Sequence, residues 1–280
     1  ITRRKFVTTF HGTYNFSNYL KKFYNSIMVR SKLVIAGSNF IFEHINTNYQ
    51  KYLKEKNKLM VIFRGINLEY FNKKNISENK KNKLMSAWKI NPEKKTILLP
   101  GRLTQWKGQE VFIEAINILI EDYNKNNFQA IILGSDQGRN IYSKKLFSLV
   151  HRYQLNKTVN FITFCKEMPI AYSLSDIIVS SSIEPEAFGR VAVEAQAMGK
   201  PIVASNIGGS NETIVNGKSG FLYKSGDPRE LAKALNNVME LDEEALYSVG
   251  NEGRKNVTRK FNVEQMCQTT FTEYKKLLKF

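Results

Sequence analysis

Two cations stand in one short stretch of the chain, Arg102 and Lys107 within Gly101-Arg-Leu-Thr-Gln-Trp-Lys-Gly108. Cations fixed in a strand-to-helix turn, where helix amides also converge, suit a diphosphate. In so basic a chain the same pair would also serve as ordinary solvated charges. Gly101 lets the backbone turn tightly. Two carboxylates frame a second stretch, Glu186-Ala-Phe-Gly-Arg-Val-Ala-Val-Glu194. A carboxylate accepts hydrogen bonds on each oxygen and so holds paired sugar hydroxyls well. Glu194 lies among Val191, Val193, Ala195 and Ala197, and a charge in so apolar a helix needs a partner. Glu186 stands at the helix mouth, as a sugar ligand or as a plain N-terminal helix charge. The amides of Phe188, Gly189 and Arg190 are candidate donors to phosphate or to a sugar oxygen. Gly208 and Gly209 open a polar loop that either approaches a ligand closely or simply turns into the next helix. His11, beside Gly12 at a strand end, would donate to a sugar hydroxyl or a leaving phosphate, or make a structural hydrogen bond.

These residues need elements to position them. Short apolar runs read as strands at Lys5–Phe10, Leu33–Ala36, Leu59–Phe63, Thr96–Leu99, Ala130–Leu133, Val159–Ile162, Ile177–Val179 and Ile202–Ala204. Helical spacing separates them: Asn18–Val29, Ile41–Leu53, Gln109–Glu121, Ile141–Tyr153, Phe188–Met198, Pro228–Met239, Asp242–Lys260 and Val263–Leu278. The Asn- and Lys-rich stretch Phe71–Lys83 reads as a linker. Alternation of this kind predicts parallel sheets covered on both faces, in two α/β units. Ligands of such sheets bind at the carboxyl ends of the strands, which is where the charged residues fall.

The whole has 280 residues, 42% hydrophobic and 24% charged, as expected of a globular protein. The formal charge of +17 favours anionic partners, including an anionic membrane surface, although Lys, Asn and Ile abundant throughout also fit a biased genome. No RNP1 or helix-turn-helix signature points to specific nucleic-acid binding. Cys165 and Cys267 stand far apart, with no Cys/His cluster, so neither a disulfide framework nor a metal site is expected, and a reducing cytosol is the default. No Asp-x-Asp offers a carboxylate pair for a metal–diphosphate complex, and no G-x-S-x-G or P-loop points to acyl transfer or ATP hydrolysis. The chain opens on Ile1 and a basic segment with no apolar run after it, as expected of a piece of a longer protein.

Taken together the motifs resemble glycosyltransferase family four, retaining enzymes of GT-B fold. The resemblance rests on FHG at Phe10, RGINLEYF from Arg64, GRLTQWKG from Gly101, EAFGRVAVEAQAMGKPIVAS from Glu186, GG at Gly208 and GKSGFLY from Gly217. It implies two Rossmann-like units facing across a cleft. Residues 1–75 would be the later part of the acceptor-side unit, its earlier part being absent. Residues 76–262 would bind the donor, and 263–280 would form a helix crossing back. It implies Arg102 and Lys107 on the donor diphosphate, Glu194 on the ribose, and Glu186 on the donor sugar. Phe188, Gly189 and Arg190 would lie against sugar and phosphate, His11 would reach the donor sugar, and Phe161–Cys165 would pass the base. Two departures are Ser180-Ser181 where the family often has Pro-Ser, and Thr163 where it often has Gly. Gly189-Arg190-Val191 is similar to members acting on bacterial envelope glycans. The implied reaction moves a hexose-type sugar from a nucleotide sugar to a glycan or lipid-linked acceptor, without a metal or other cofactor, in the cytoplasm or on the inner face of the plasma membrane. A same-fold epimerase, a glycan phosphorylase, a non-catalytic nucleotide-sugar-binding fragment and a nucleic-acid binder are the alternatives.

Overall fold

The computed structural model describes residues 5–14, 18–53, 58–138 and 140–278. The opening segment, Ile1 to Arg4, lies outside them. The first elements are β1 (Val7–Phe10), α1 (Tyr19–Asn25), β2 (Leu33–Ala36), α2 (Asn39–Tyr49), β3 (Lys58–Val61) and α3 (Glu78–Ala87). There follow β4 (Lys95–Pro100), α4 (Gln109–Glu121), β5 (Phe128–Leu133), α5 (Asn140–Arg152), β6 (Val159–Ile162), α6 (Met168–Ser173), β7 (Ile177–Ser180) and α7 (Arg190–Ala197). The chain ends with β8 (Ile202–Ser205), α8 (Ser210–Thr213), β9 (Phe221–Tyr223), α9 (Pro228–Met239), α10 (Glu243–Lys260) and α11 (Val263–Leu278).

Both sheets are parallel. One pairs β1, β2 and β3, with Val7 opposite Leu33 and Leu33 opposite Lys58. The other runs β6-β5-β4-β7-β8-β9. The chain lays β5 and β6 on one side of β4, then returns to lay β7 on the other. The crevice between β4 and β7 is therefore the switch point, where a doubly wound sheet receives ligands.

Alternation along the apolar run of a strand explains why both faces are covered. In β4, Ile97 and Leu99 join Phe112 and Ile116 of α4, Leu146 of α5 and Leu235 of α9. Leu98, on the opposite face, joins Tyr172 of α6, Ala192 of α7 and Val257 of α10. Each such fully buried Leu, Ile or Phe contributes roughly 1.5–3 kcal/mol through burial. In the smaller sheet Val34 and Ala36 pack with Ile41, Ile45 and Tyr49 of α2. Its other face, with Leu33 and Ile35, takes Met266 and Leu277 of α11, and Lys58 Nζ lies 2.7 Å from Glu273 of the same helix. Two chain crossings run side by side between the sheets, tied by Ile66 N to the Phe261 carbonyl at 2.8 Å and Val263 N to the Ile66 carbonyl at 3.1 Å.

Several expectations are corrected. The linker expected at Phe71–Lys83 contains the start of α3, and Phe71 itself is buried. Ile76, Leu84 and Trp88 pack on the cluster around Tyr172, and this tertiary contact overrides the polar composition. The helix expected across Asn18–Val29 stops at Asn25, and a 3-10 turn covers Ser26–Arg30. The helix expected from Phe188 starts at Arg190, because Gly189 sits at φ +79°, outside helical geometry. Helices α9 and α10 begin where Asp227 and Asp242 cap them, each carboxylate accepting from first-turn amides. The strand β9 and the helix α6 are too short to show a period in sequence.

Candidate functional site

Lys107 closes the turn after β4, and Glu186 lies in the loop after β7. The sheet order makes these loops neighbours across the switch point. Lys107 Nζ donates to Glu186 Oε1 at 2.7 Å, and the two side chains are 15% and 10% exposed. Ser180 Oγ donates to the same oxygen at 3.4 Å, and the Ser182 hydroxyl also bonds it closely. The Lys107 ammonium lies 4.4 Å from the centre of the Trp106 ring, a second contact that fixes its position. The sequence assigned the lysine to a diphosphate and the glutamate to a sugar; the fold makes them one unit.

The partner that Glu194 requires is present twice. Tyr172 donates its hydroxyl to Oε2 at 2.8 Å, and Arg190, one turn earlier on α7, donates Nε to Oε1 at 2.6 Å. Burial, and then the Glu194 charge, push the Tyr172 phenol well above its ordinary range, so it donates at every physiological pH. Arg190 is thus a partner of Glu194 through its side chain. Its backbone amide, with those of Phe188 and Gly189, finds no acceptor among the described residues. Three N–H groups without acceptors, those of buried Phe188 and Gly189 and of exposed Arg190, thus stand together at one helix mouth close to Glu186, an arrangement suited to an anion.

The glycine pair plays a different part from the one its loop suggested. A Cβ on Gly208 would lie 2.7 Å from the Glu186 carbonyl, and one on Gly209 would lie 2.5 Å from Phe188 Cα. Gly209 N donates to the Glu186 carbonyl at 2.8 Å. Their close approach is to the Glu186–Phe188 backbone, which they hold from behind. Gly101 is also less constrained than expected. A Cβ there would meet only the Lys107 methylenes at 3.6 Å, whereas one on Gly134 would lie 1.9 Å from the Gly101 carbonyl.

Arg102 is exposed, and its side chain has no partner among the described residues. It is not gathered into either ion pair. His11 follows Phe10, and Ala187 packs on the Phe10 cluster, so the end of β1 borders the Glu186 loop. Partial burial, and then Arg64, lower the His11 pKa below 6.5. Arg64 and Arg190 line one cavity of about 350 Å³ between the sheets, with Tyr70, Phe188 and Val193. At the end of β6, where the base was expected, Phe164 is 73% exposed. Sequence reasoning missed Tyr172, Ser182 and Arg64. Two had a local signal: Ser182 ends the Ser180-Ser181-Ser182 run before Glu186, and Arg64 opens the RGINLEYF motif.

The model of the family "Glycosyl transferases group 1" matches residues 80–256. Among curated relatives, spore coat protein SA of Bacillus subtilis is 26% identical over 87% of this chain and 64% of its own length. A D-inositol 3-phosphate glycosyltransferase of Corynebacterium urealyticum is 31% identical over 70% of this chain and 46% of its own. The chain thus spans about half to two thirds of the length of these relatives. A glycosyltransferase structure from Rickettsia africae superposes with a TM-score of 0.90 at 34% identity, covering 99% of this chain and 72% of that one. Anabaena HepE, solved in complex with UDP and glucose, superposes with a TM-score of 0.85 at 26% identity, over 98% and 72%. The two parallel sheets of the present chain have the GT-B architecture of these structures.

Proposed function

Because the chain belongs to the group 1 glycosyl transferases, we propose that it carries the donor site of an enzyme moving a hexose-type sugar from a nucleoside-diphosphate sugar to a glycan or lipid-linked acceptor, with retention. The observation that carries this reading is the Lys107–Glu186 pair at 2.7 Å beside the unpaired amides of Phe188, Gly189 and Arg190. The bond from the anomeric carbon to the phosphate oxygen breaks, and its electron pair stays on that oxygen. Lys107, Arg102 and the amides stabilise the growing charge in place of a divalent metal. The acceptor hydroxyl oxygen bonds to the anomeric carbon on the face the phosphate leaves, and its proton passes to the departing phosphate oxygen. Glu186 holds a sugar hydroxyl and keeps Lys107 aimed. Glu194 takes the ribose hydroxyls, and His11 donates to the sugar from the first sheet.

HepE was solved with UDP and glucose, and this supports a uridine donor as the first to test. CapM of Staphylococcus aureus, named for capsular polysaccharide biosynthesis and 26% identical over 81% of this chain and 58% of its own, supports an envelope glycan as acceptor. We place the reaction at the inner face of the plasma membrane. Exposed Tyr19, Leu20, Phe23 and Tyr24 with Lys21 and Lys22 on α1 suit an anionic bilayer surface. No helix of the described residues is long and apolar enough to cross a membrane. Co-sedimentation with anionic, but not neutral, vesicles is the expected result.

The test is thermal stabilisation across UDP-, GDP-, ADP- and dTDP-sugars, followed by product analysis with the stabilising donor. Stabilisation by one class and a retained linkage are expected, and transfer is expected to survive EDTA. Stabilisation by none would overturn the donor site. An epimerised donor as product would overturn transfer, and strict dependence on Mn²⁺ or Mg²⁺ would overturn the metal-independent mechanism.

A further inference from the structure

The two sheets are fastened together beside the Glu186 loop by a contact that carries no part of the chemistry above. The first amides of a helix have no partner within it. In α2 these amides are bound by a side chain from the other unit. Asn39 N donates to Glu212 Oε2 at 2.7 Å, Phe40 N donates to Glu212 Oε1 at 2.5 Å, and Asn39 Nδ2 donates to Oε2 at 2.9 Å. The next amide, Ile41 N, is taken by Ser38 Oγ at 3.1 Å, and Ser38 Oγ donates in turn to the Ala187 carbonyl at 2.5 Å.

Both ends of this contact lead to the loop that carries Glu186. Glu212 belongs to α8, and Gly209, just before α8, bonds the Glu186 carbonyl. Ala187 lies between Glu186 and Phe188, and it packs into the core of the smaller sheet. The loop is therefore gripped from behind by the α8 segment and in front by the amino end of α2. A carboxylate that accepts several donors at the positive end of a helix makes charge-assisted bonds, the strong kind.

We propose that Glu212 is a positioning residue, a latch that fastens α2 to α8 and so holds Glu186 and the Phe188–Arg190 amides in register with the smaller sheet. The donor-side residues Lys107, Glu194 and Arg190 all sit on the larger sheet. Loss of the latch leaves their donor contacts in place and misaligns the residues contributed by the smaller sheet, His11 and Arg64 among them. The defect falls on turnover and spares donor affinity. This inference rests on the transfer reading above for its kinetic consequence, but the latch itself has a readout that does not need activity.

Two variants of the whole chain test it. Glu212→Gln removes the charge and one acceptor. Asn39→Pro removes the Asn39 N–H and its amide group at the first helical position, where proline is favoured. The preceding residue, Ser38, already has the extended backbone that proline demands, at φ −162° and ψ 165°. Amide exchange, donor affinity by calorimetry with the stabilising nucleotide sugar, and steady-state turnover are measured on each. In E212Q the Phe40 amide is expected to exchange faster. For both variants kcat falls about tenfold or more, the scale of bonds to a charged group, with donor affinity held within about threefold. The double variant is no worse than the weaker single, because both cut one contact. Unchanged exchange at Phe40 in E212Q overturns the latch whether or not the protein transfers sugar. Faster exchange with unchanged kcat, or additive losses in the double variant, overturns the positioning role. A wild-type chain that turns over no nucleotide sugar overturns the transfer reading instead, and exchange at Phe40 still decides the latch.

Discussion

Glu186 and Glu194 are both nearly buried, both bonded to a cation and both bonded to hydroxyls, yet the two pairs are built differently. Lys107 is 15% exposed and Glu186 10%, so this pair is enclosed on both sides. Arg190 is 73% exposed against 8% for Glu194, so that pair has one partner in water. A long, exposed arginine holds its carboxylate at little cost and releases it at little cost. An enclosed lysine wedged between Trp106 and a carboxylate has nowhere else to go. The first pair is a fixture, and the proposed mechanism puts the developing phosphate charge beside it. Under the proposed function the second acts as a gate over a carboxylate whose own position is kept by Tyr172. One fold thus builds a rigid and a releasable ion pair from similar residues, by choosing which partner to bury.

The sharpest test of that contrast is Lys107→Ala. It removes the charge at the departing phosphate and leaves Glu186 buried with only serine hydroxyls. Transfer falls by roughly a hundredfold or more. Stability falls as well, by about 3 kcal/mol, because an enclosed carboxylate loses its counter-charge. Arg102→Ala lowers transfer on a similar scale, but its free, exposed side chain predicts no loss of stability. Equal destabilisation by the two variants, read from denaturant midpoints, would break the distinction between a built-in cation and a free one. Near-normal turnover in either would remove that residue from the mechanism.

The fixture was more legible in the sequence than the gate. Lys107 and Glu186 each stand in a loop after an apolar strand, and parallel alternation brings such loops to one edge. Their direct bond could not be read, because it depends on β4 and β7 being neighbours. Strand order is a three-dimensional fact that motif spacing does not encode. For Glu194 the apolar run around it announced that a partner was needed. Arg190, one helical turn away, is in plain view, but the motif marks its backbone amide and not its side chain. Tyr172 lies in a short helix starting at Met168-Pro169, and nothing local marks it. The glycine pair misled for a related reason. Sequence shows that a glycine allows close approach, but only packing shows that the approaching group is the Glu186 backbone. Polar composition hid α3, whose few apolar residues are enough once Phe71 and Tyr172 are there to receive them.

The gate yields a smaller effect at its fixed end. Glu194→Gln keeps the Tyr172 hydrogen bond but loses the charge that two ribose hydroxyls would share with it. Donor affinity is expected to fall about tenfold, with kcat changing less, since ribose contacts act equally in ground and transition states. Calorimetry with the donor nucleoside diphosphate checks it, and a loss confined to kcat would move Glu194 out of the ribose site.

Acid sharpens the comparison from the other sheet. The His11 proton is held less firmly in the fold than in the unfolded chain, because burial first and Arg64 second lower its pKa. Its contribution is therefore complete above pH 6.5 and is lost as pH falls through its folded value. The acid limb of donor turnover should lie below pH 6.5, and His11→Gln should remove that limb while leaving the Lys107-dependent plateau in place. A limb that persists in the variant would assign it to another group.

The smallest effect belongs to Arg190→Ala, and its sign carries the argument. If the arginine only screens Glu194 until ribose arrives, removing it leaves the carboxylate more available, though less well neutralised. Only the arginine end of this pair stands in water, and Tyr172 still bonds the carboxylate when it is gone, so stability should fall by less than in Lys107→Ala. Donor affinity should change by less than about fivefold in either direction, because the lost neutralisation and the lost competition oppose each other. The Arg190 backbone amide stays in place in this variant, so the anion cradle at the α7 mouth is untouched and kcat is retained. A loss comparable to that of Lys107→Ala would show that the guanidinium leaves Glu194 to bind the donor itself. Arg190 would then be a moving catalytic cation, and the two pairs would differ in timing rather than in role.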